Sequence, residues 1–540
     1  MAAEKTTAAL EPVVTEEPPG RTLQRRQPGR RSILAILCIS LLVVSLDNTI
    51  LNVALPVIAR QMRASSSQLQ WIVDAYITVF AGLILVAGSL GDRLGRKWLL
   101  LGGLFVFGAG SAASAFASSP GWLIATRATM GLGGAAIMPA TLSLLTSVFS
   151  DPKERSRAIG IWSGTTGLGV AFGPVVGGWL LAHFWWGSVF LVNVPIIAIG
   201  LVAAAFAVPN SRDERALPPD PLGAALSMLG MASLLFAIIE APSRSWSSPV
   251  ILATLAGGLL ALLLFGLHER ATDHPMLRLS LFSSRRFSVA MGAMGLVMFA
   301  LMGGLFLFTQ YLQFALGYTP LQAGLRVFPV AGTLLVLAPV STLITRRLGS
   351  KPVVFTGMAL IAIGLVLLSH TSVAGGYGDS LPGFLLIGAG TGLSFAPCTD
   401  SVMGSLPPNQ TGIGAGTNGA AIQTGGSLGV GLLGSLLNGR YSARLGPVLA
   451  AHKAPAAVTH LVEGSLGGAM AVAEAIGGRL GTALAAAARQ AFVSGYDLAL
   501  VVASGVVTAA ALTALFLLPN RPSLRRQTGS APVADGEGRL

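Results

Sequence analysis

Gly88-Ser89-Leu90-Gly91-Asp92-Arg93-Leu94-Gly95-Arg96-Lys97 links two apolar stretches, each long enough to cross a bilayer at roughly 20 residues per crossing. The glycines allow a tight turn. Asp92 can face the N-terminus of a neighbouring helix, and Arg93, Arg96 and Lys97 can pair across it. Contacts of this kind latch one conformation and break in another, which would give Gly91, Asp92, Arg93, Gly95, Arg96 and Lys97 a gating role. The plainer reading is a patch of positive charge that anchors one membrane surface. A trimmed copy, Arg347-Leu348-Gly349-Ser350-Lys351, follows at an offset of 254 residues. Pro152 and Pro407 lie 255 apart, and Leu168-Gly169-Val170 returns as Leu428-Gly429-Val430 at 260. Three matches in order at nearly constant spacing indicate two related halves.

Working outward, fourteen apolar spans can be counted, at about 33–58, 69–90, 98–118, 122–149, 159–181, 188–208, 222–241, 249–268, 288–314, 321–345, 352–371, 381–405, 412–437 and 498–518. The expected fold is an all-α integral membrane protein. It has two pseudo-symmetric six-helix bundles (33–208 and 288–519), with the two spans of 222–268 inserted between them. Composition agrees: 53% of the 540 residues are hydrophobic and 11% charged, against about 25% charged in a soluble domain. The net charge of +13 does not point to nucleic acid, because Lys and Arg cluster in short loops between spans. With the N-terminus inside, inner segments hold 25 of the 35 Lys and Arg and outer segments 8, so both termini are expected in the cytoplasm. The tails 1–32 and 520–540 are polar and expected to be disordered. The stretch 438–497, interrupted by Glu474, Arg479 and Arg489, reads as a long extracellular loop carrying helical pieces. Cys38 and Cys398 both lie in apolar spans, so no disulfide framework is expected.

Several polar groups lie inside these spans. Asp47, within Leu46–Pro56, is a carboxylate at a depth where ionisable groups cost on the order of 3 kcal/mol and are functional candidates. Asp74 and Arg127 each stand about six residues from the outer end of their spans, at similar depth on a helix rising 1.5 Å per residue. That predicts a pair between them, either coupled to transport or a static bridge. Asp400 either titrates or neutralises nearby Arg346 and Arg347. Gly169, Gly173 and Gly177, with Pro174 and Gly178 beside them, form a smooth stripe for close helix approach, and the proline adds a bend. Asn48, Gln310, Tyr311, Gln313, Phe395, Asn418 and Gln423 could line a cavity, although polar side chains also serve as interhelical hydrogen-bond partners. No Gly-Lys-Ser/Thr phosphate loop suggests ATP as energy source, and six scattered histidines suggest no metal site.

The combination of Leu46–Pro56, Gly88–Lys97, Arg127–Gly131 and Gly167–Gly178 resembles the motif set of the major facilitator superfamily, specifically its fourteen-span drug:proton antiporters. The resemblance covers about 33–519. It implies alternating access and export of amphipathic, cationic drugs across the cytoplasmic membrane, driven by the proton gradient, with no cofactor and no enzymatic activity. A single chain embedded in lipid would suffice as a monomer. Carried over by position, Asp47 and Asp74 would handle protons or cations, Arg127 would assist proton transfer, and Asp92 with Arg96 would gate. Met130 stands where that family commonly has Gln. The same fold also serves exporters of one endogenous metabolite, such as an antibiotic, siderophore or lipid precursor, and this alternative stays open.

Overall fold

A computed structural model describes residues 29–520 apart from 150, 213–219, 274, 373–374, 406–410 and 453. Most of both polar tails, Pro407 and the Asp92 side chain lie outside the described residues.

The first half comprises α1 (Arg30–Gln61), α2 (Ser66–Leu94), α3 (Arg96–Ala115), α4 (Pro120–Val148), α5 (Pro152–His183), α6 (Ser188–Leu191) and α7 (Asn193–Ala207). The two inserted helices are α8 (Pro221–Arg244) and α9 (Pro249–Ala271). The second half comprises α10 (Arg285–Gln310), α11 (Pro320–Leu348), α12 (Ser350–Leu368), α13 (Tyr377–Met403), α14 (Thr411–Ala451), α15 (Ala456–Gly464), α16 (Leu466–Ile476) and α17 (Gly478–Leu517). The helix starts follow local chemistry: Ser65 and Thr319 cap α2 and α11 with reciprocal Gln68 and Gln322 contacts, and Pro120, Pro221, Pro249 and Pro320 occupy first-turn positions. α6 and α7 form one span, and α10 continues through a π-helical turn, Tyr311–Ala315. Thirteen helical segments among the described residues are long and apolar enough to span a membrane. α2 is the fourteenth, since Trp71–Gly88 carries Asp74 as its one charged residue.

The two halves repeat one packing plan. In the first, α5 lies on α1: Gly169 meets Ser45 and Leu46, Gly173 meets Thr49, and Gly177 meets Ile50. In the second, α14 lies on α10, with Gly425 against Gly295 and Gly429 against Phe299. Gly169 and Gly429 are the glycines of the Leu-Gly-Val repeat, so that sequence match marks equivalent close approaches. The bundles meet along two seams, α2 with α14 and α5 with α11. Pro174 and Gly178 face the second seam, against Gly324 and Leu321.

One end of the molecule carries Arg30 at the start of α1, Asn520 after α17, and both repeated links. There Gly95 (φ +109°) turns the chain between α2 and α3 against Asn210, and Gly349 (φ +89°) does the same against Asn520. α2 extends to Leu94, so the turn in the Gly88–Lys97 link is a single residue, while Gly91 admits Leu99 from α3. The Arg96 N–H donates to Ser211 O (2.9 Å), Lys97 Nζ donates to Ala205 O (2.7 Å), and Arg93 is exposed.

The opposite end carries a helical hairpin. The 438–497 stretch, read as a loop with helical pieces, is helical over nearly its whole length. α14 runs on to Ala451, α15 and α16 follow, and α17 begins at Gly478. Its Ala and Gly content lowered the hydropathy without lowering helix propensity enough to break the helices.

Candidate functional site

Two buried acids occupy different places. Asp47 on α1 is fully buried, and its Oδ2 accepts a hydrogen bond from Arg127 NH1 on α4. Asn193 Nδ2 on α7 donates to Asp47 Oδ1 (3.1 Å) and also reaches Ser111 Oγ (3.1 Å), which in turn donates to Phe190 O (2.9 Å). Arg127, 1% exposed, donates its Nε–H to Ile72 O (3.1 Å) and lies 4.5 Å over the Tyr76 ring. These contacts hold the ion pair inside the first bundle. Charge, hydrogen bonds and the cation–π contact offset the desolvation that a buried pair must bear.

The expected Asp74–Arg127 pair is therefore corrected: the guanidinium turns to Asp47. Similar depth along two helices fixes height but not azimuth. α4 presents Arg127 to the gap between α1 and α2, while Asp74 looks away from it across the seam to α14. There Ser427 Oγ donates to Asp74 Oδ1 (2.8 Å), and Oδ2 has no hydrogen-bond partner. Gln70, one turn away, donates to Val430 O (3.3 Å) and Gly431 O (2.8 Å), joining the bundles through the same two helices. Asp74 is fully buried and, among the described residues, makes no ion pair.

The other candidates divide between the passage and the packing. Asn48 is half-buried next to Asp47, donates to Val44 O (3.1 Å) and neighbours the Tyr76 hydroxyl. Asn418, with an unpartnered Oδ1, and half-buried Gln423 lie on α14, and Phe395 packs against the core from α13. Gln310 bonds Phe306 O on its own helix (3.0 Å). Tyr311 turns into the second bundle, stacks on Tyr496 at 4.7 Å and donates to Ser372 O (3.1 Å), so it does not line the space between bundles. Gln313 Nε2 donates to Val53 O (2.9 Å), bridging α1 to the π-turn at the hairpin end. That end is closed further by Gly178 on Leu321 and by Gly467 of α16 on Ala59 of α1. Asp400 is exposed, and the charges acting on it are Arg286 and Arg346. Among the described residues no group of three His, Cys, Asp or Glu side chains is placed to hold a metal ion.

Sequence reading missed Asn193, Gln70 and Ser427. Asn193 left a signal, as a lone amide inside the otherwise apolar Ser188–Ala207 span. Ser427 left none, because a serine among glycines reads as packing.

Known proteins resemble this chain in sequence and in fold. The multidrug efflux pump LfrA of Mycolicibacterium smegmatis is 35% identical over 494 residues, covering 90% of this chain and 96% of that protein. The tetracenomycin C resistance and export protein of Streptomyces glaucescens is 34% identical, covering 92% of each. A solved bacterial homolog of the human lysosomal transporter Spinster, described as inward-facing and unoccupied, superposes with a TM-score of 0.63 at 17% identity, over 92% of this chain and 99% of that one. The family model described as Major Facilitator Superfamily matches residues 37–430. The repeated bundles, the paired seams and these matches agree: the chain belongs to the Major Facilitator Superfamily.

Proposed function

We propose that the protein is a proton-coupled antiporter that exports hydrophobic, cationic or amphipathic drugs across the bacterial cytoplasmic membrane by alternating access. The observation that carries this reading is Asp74: a fully buried carboxyl, unpaired, held by Ser427 on the seam where the two bundles meet. A buried carboxylate without a counter-ion costs several kcal/mol, so this closed seam accommodates the neutral acid and an opened, hydrated seam the charged one. Parting of the bundles and proton release are thereby linked. Each proton returning down the membrane potential supplies about 2.3 kcal/mol per 100 mV.

In this scheme Asp47 and Arg127 form a standing pair that fixes α1 to α4, and Asp74 carries the exchanged proton. Asp400 neutralises Arg286 and Arg346. The end with the repeated links faces the cytoplasm, in keeping with its Lys and Arg, and the α15–α16 hairpin lies outside. One chain contains both bundles and works alone, with the proton gradient in place of a cofactor.

The test is export of a fluorescent lipophilic cation from vesicles under an imposed proton gradient. Asp74→Asn abolishes gradient-driven export while leaving folded protein; undiminished export removes Asp74 from the mechanism. A second reading, export of one endogenous metabolite, is favoured by the relative named for tetracenomycin C export. A panel of chemically diverse cargoes separates the two, since a single accepted structural class supports the second.

A further inference from the structure

The two seams differ in a way that the repeat does not require. The α2–α14 seam holds Asp74 and is covered along its length by α8, whereas α8 and α9 make no contact with the α5–α11 seam among the principal helix contacts. At one end Met228 of α8 packs on Gly82 of α2, and at the other Pro242 packs on Gly439 of α14. Between them, Phe236 stands against Trp71 with ring centroids 6.4 Å apart. At the level of the acid, Gly431 of α14 is the common neighbour of Leu235, Ile239 and the unpartnered Asp74 Oδ2. A methyl built on Gly431 would lie 3.1 Å from Leu235 Cδ2, 3.5 Å from Asp74 Oδ2 and 3.7 Å from Ile239 Cγ1. Leu235 and Ile239 are both 0% exposed, while α9 on the far side of α8 is largely open to lipid.

The repeat offset of 254 puts Phe328 of α11 at the position of Asp74, and there the uncovered seam is closed by Phe328 against Phe172, 6.1 Å apart. An aromatic pair needs no protection from hydrocarbon. An unpaired carboxyl does, because any path that brings water or headgroups to it from the side would let protons cross without cargo. Among the described residues, no charged side chain of α2, α14 or α8 offsets it from that side, and the acid of α8, Glu240, is paired with Arg244 (3.5 Å).

We infer that α8 is the insulating wall of the proton site, with Leu235 and Ile239 as positioning residues that seal Asp74 from the lipid face of the α2–α14 seam. The inserted pair is then part of the coupling machinery rather than an appendage, and α8 has to stay on the seam through the transport cycle. This inference rests on the reading of Asp74 as the proton carrier.

The experiment uses the full chain in liposomes with a trapped pH-sensitive dye and no drug. The Leu235→Ala/Ile239→Ala variant is expected to leak protons several-fold faster than the parent, and adding Asp74→Asn is expected to return the leak to the parental rate. A leak that stays parental, or one that survives Asp74→Asn, overturns the inference. Should that variant not fold, the single variants Leu235→Ala and Ile239→Ala decide through modification of Asp74 by dicyclohexylcarbodiimide, a lipid-soluble reagent for protonated carboxyls read by peptide mass spectrometry. Asp74 labelled several-fold faster in either single variant than in the parent supports the wall, and labelling equal to the parent in both overturns it. The labelling result does not depend on export. Failure of Asp74→Asn to block drug export would sink the proton-carrier role while leaving the shielding measurement standing.

Discussion

The buried ion pair gives a quantitative prediction. Arg127→Met leaves the fully buried Asp47 with Asn193 as its one side-chain donor, a hydrogen bond to a charged group worth about 1.5–3 kcal/mol. Asp47→Asn leaves the guanidinium with Ile72 O and the Tyr76 ring at 4.5 Å. Each single change strands a charge, and stranding a charge in a buried pair costs about 3–5 kcal/mol. The double variant Asp47→Asn/Arg127→Met strands nothing, and replacing a buried pair by neutral groups is often close to neutral overall. Its cost should therefore fall below that of either single change, a coupling of at least about 3 kcal/mol for groups in direct contact. Denaturant unfolding in detergent micelles, followed by tryptophan fluorescence, measures all four corners of the cycle. Costs that simply add to within about 0.5 kcal/mol would refute the pairing and return Arg127 to another partner.

Three further outcomes follow from the geometry. Gly95→Ala and Gly349→Ala each force a side chain into a positive-φ turn and against Asn210 or Asn520, so each should cost about 1–3 kcal/mol by the same unfolding assay; a silent substitution would show that the turns relax freely. Gln313→Ala removes the α10–α1 bridge to Val53 O, and a loss of about 1 kcal/mol shifts the population open at the hairpin end about fivefold. Spin-label distances between the ends of α1 and α10 read that shift, and an unchanged distribution counts against Gln313 as a closure contact. Asp400→Asn should retain gradient-driven export, because Asp400 is exposed beside Arg286 and Arg346; loss of coupling would place Asp400 on the proton route.

The spans were legible because hydropathy along a helix needs no knowledge of neighbours. The halves were legible because Arg93 and Arg347, and Gly169 and Gly429, kept their spacing. What was not legible was which way a side chain faces. Span depth matches Asp74 to Arg127, yet the rotation of α4 against α1 and α2 gives the guanidinium to Asp47. Tyr311 and Gln313 are two residues apart on a nominal helix, yet one enters the second bundle and the other crosses to the first. Both lie in the π-turn, which has no composition signal. The 438–497 stretch was expected as a loop with helical pieces and is helical nearly throughout, because Ala favours a helix while Ala and Gly together lower the apolar score by which a span is recognised.

The twin asparagine contacts set an order of assembly. Asn210 follows the last helix of the first bundle directly, so the Gly95 contact becomes available while the second half is still on the ribosome. The matching contact at Gly349 needs Asn520, the last residue described before the C-terminal tail. A chain ending shortly before Asn520 would keep the turn contact of the first bundle and lack its counterpart in the second.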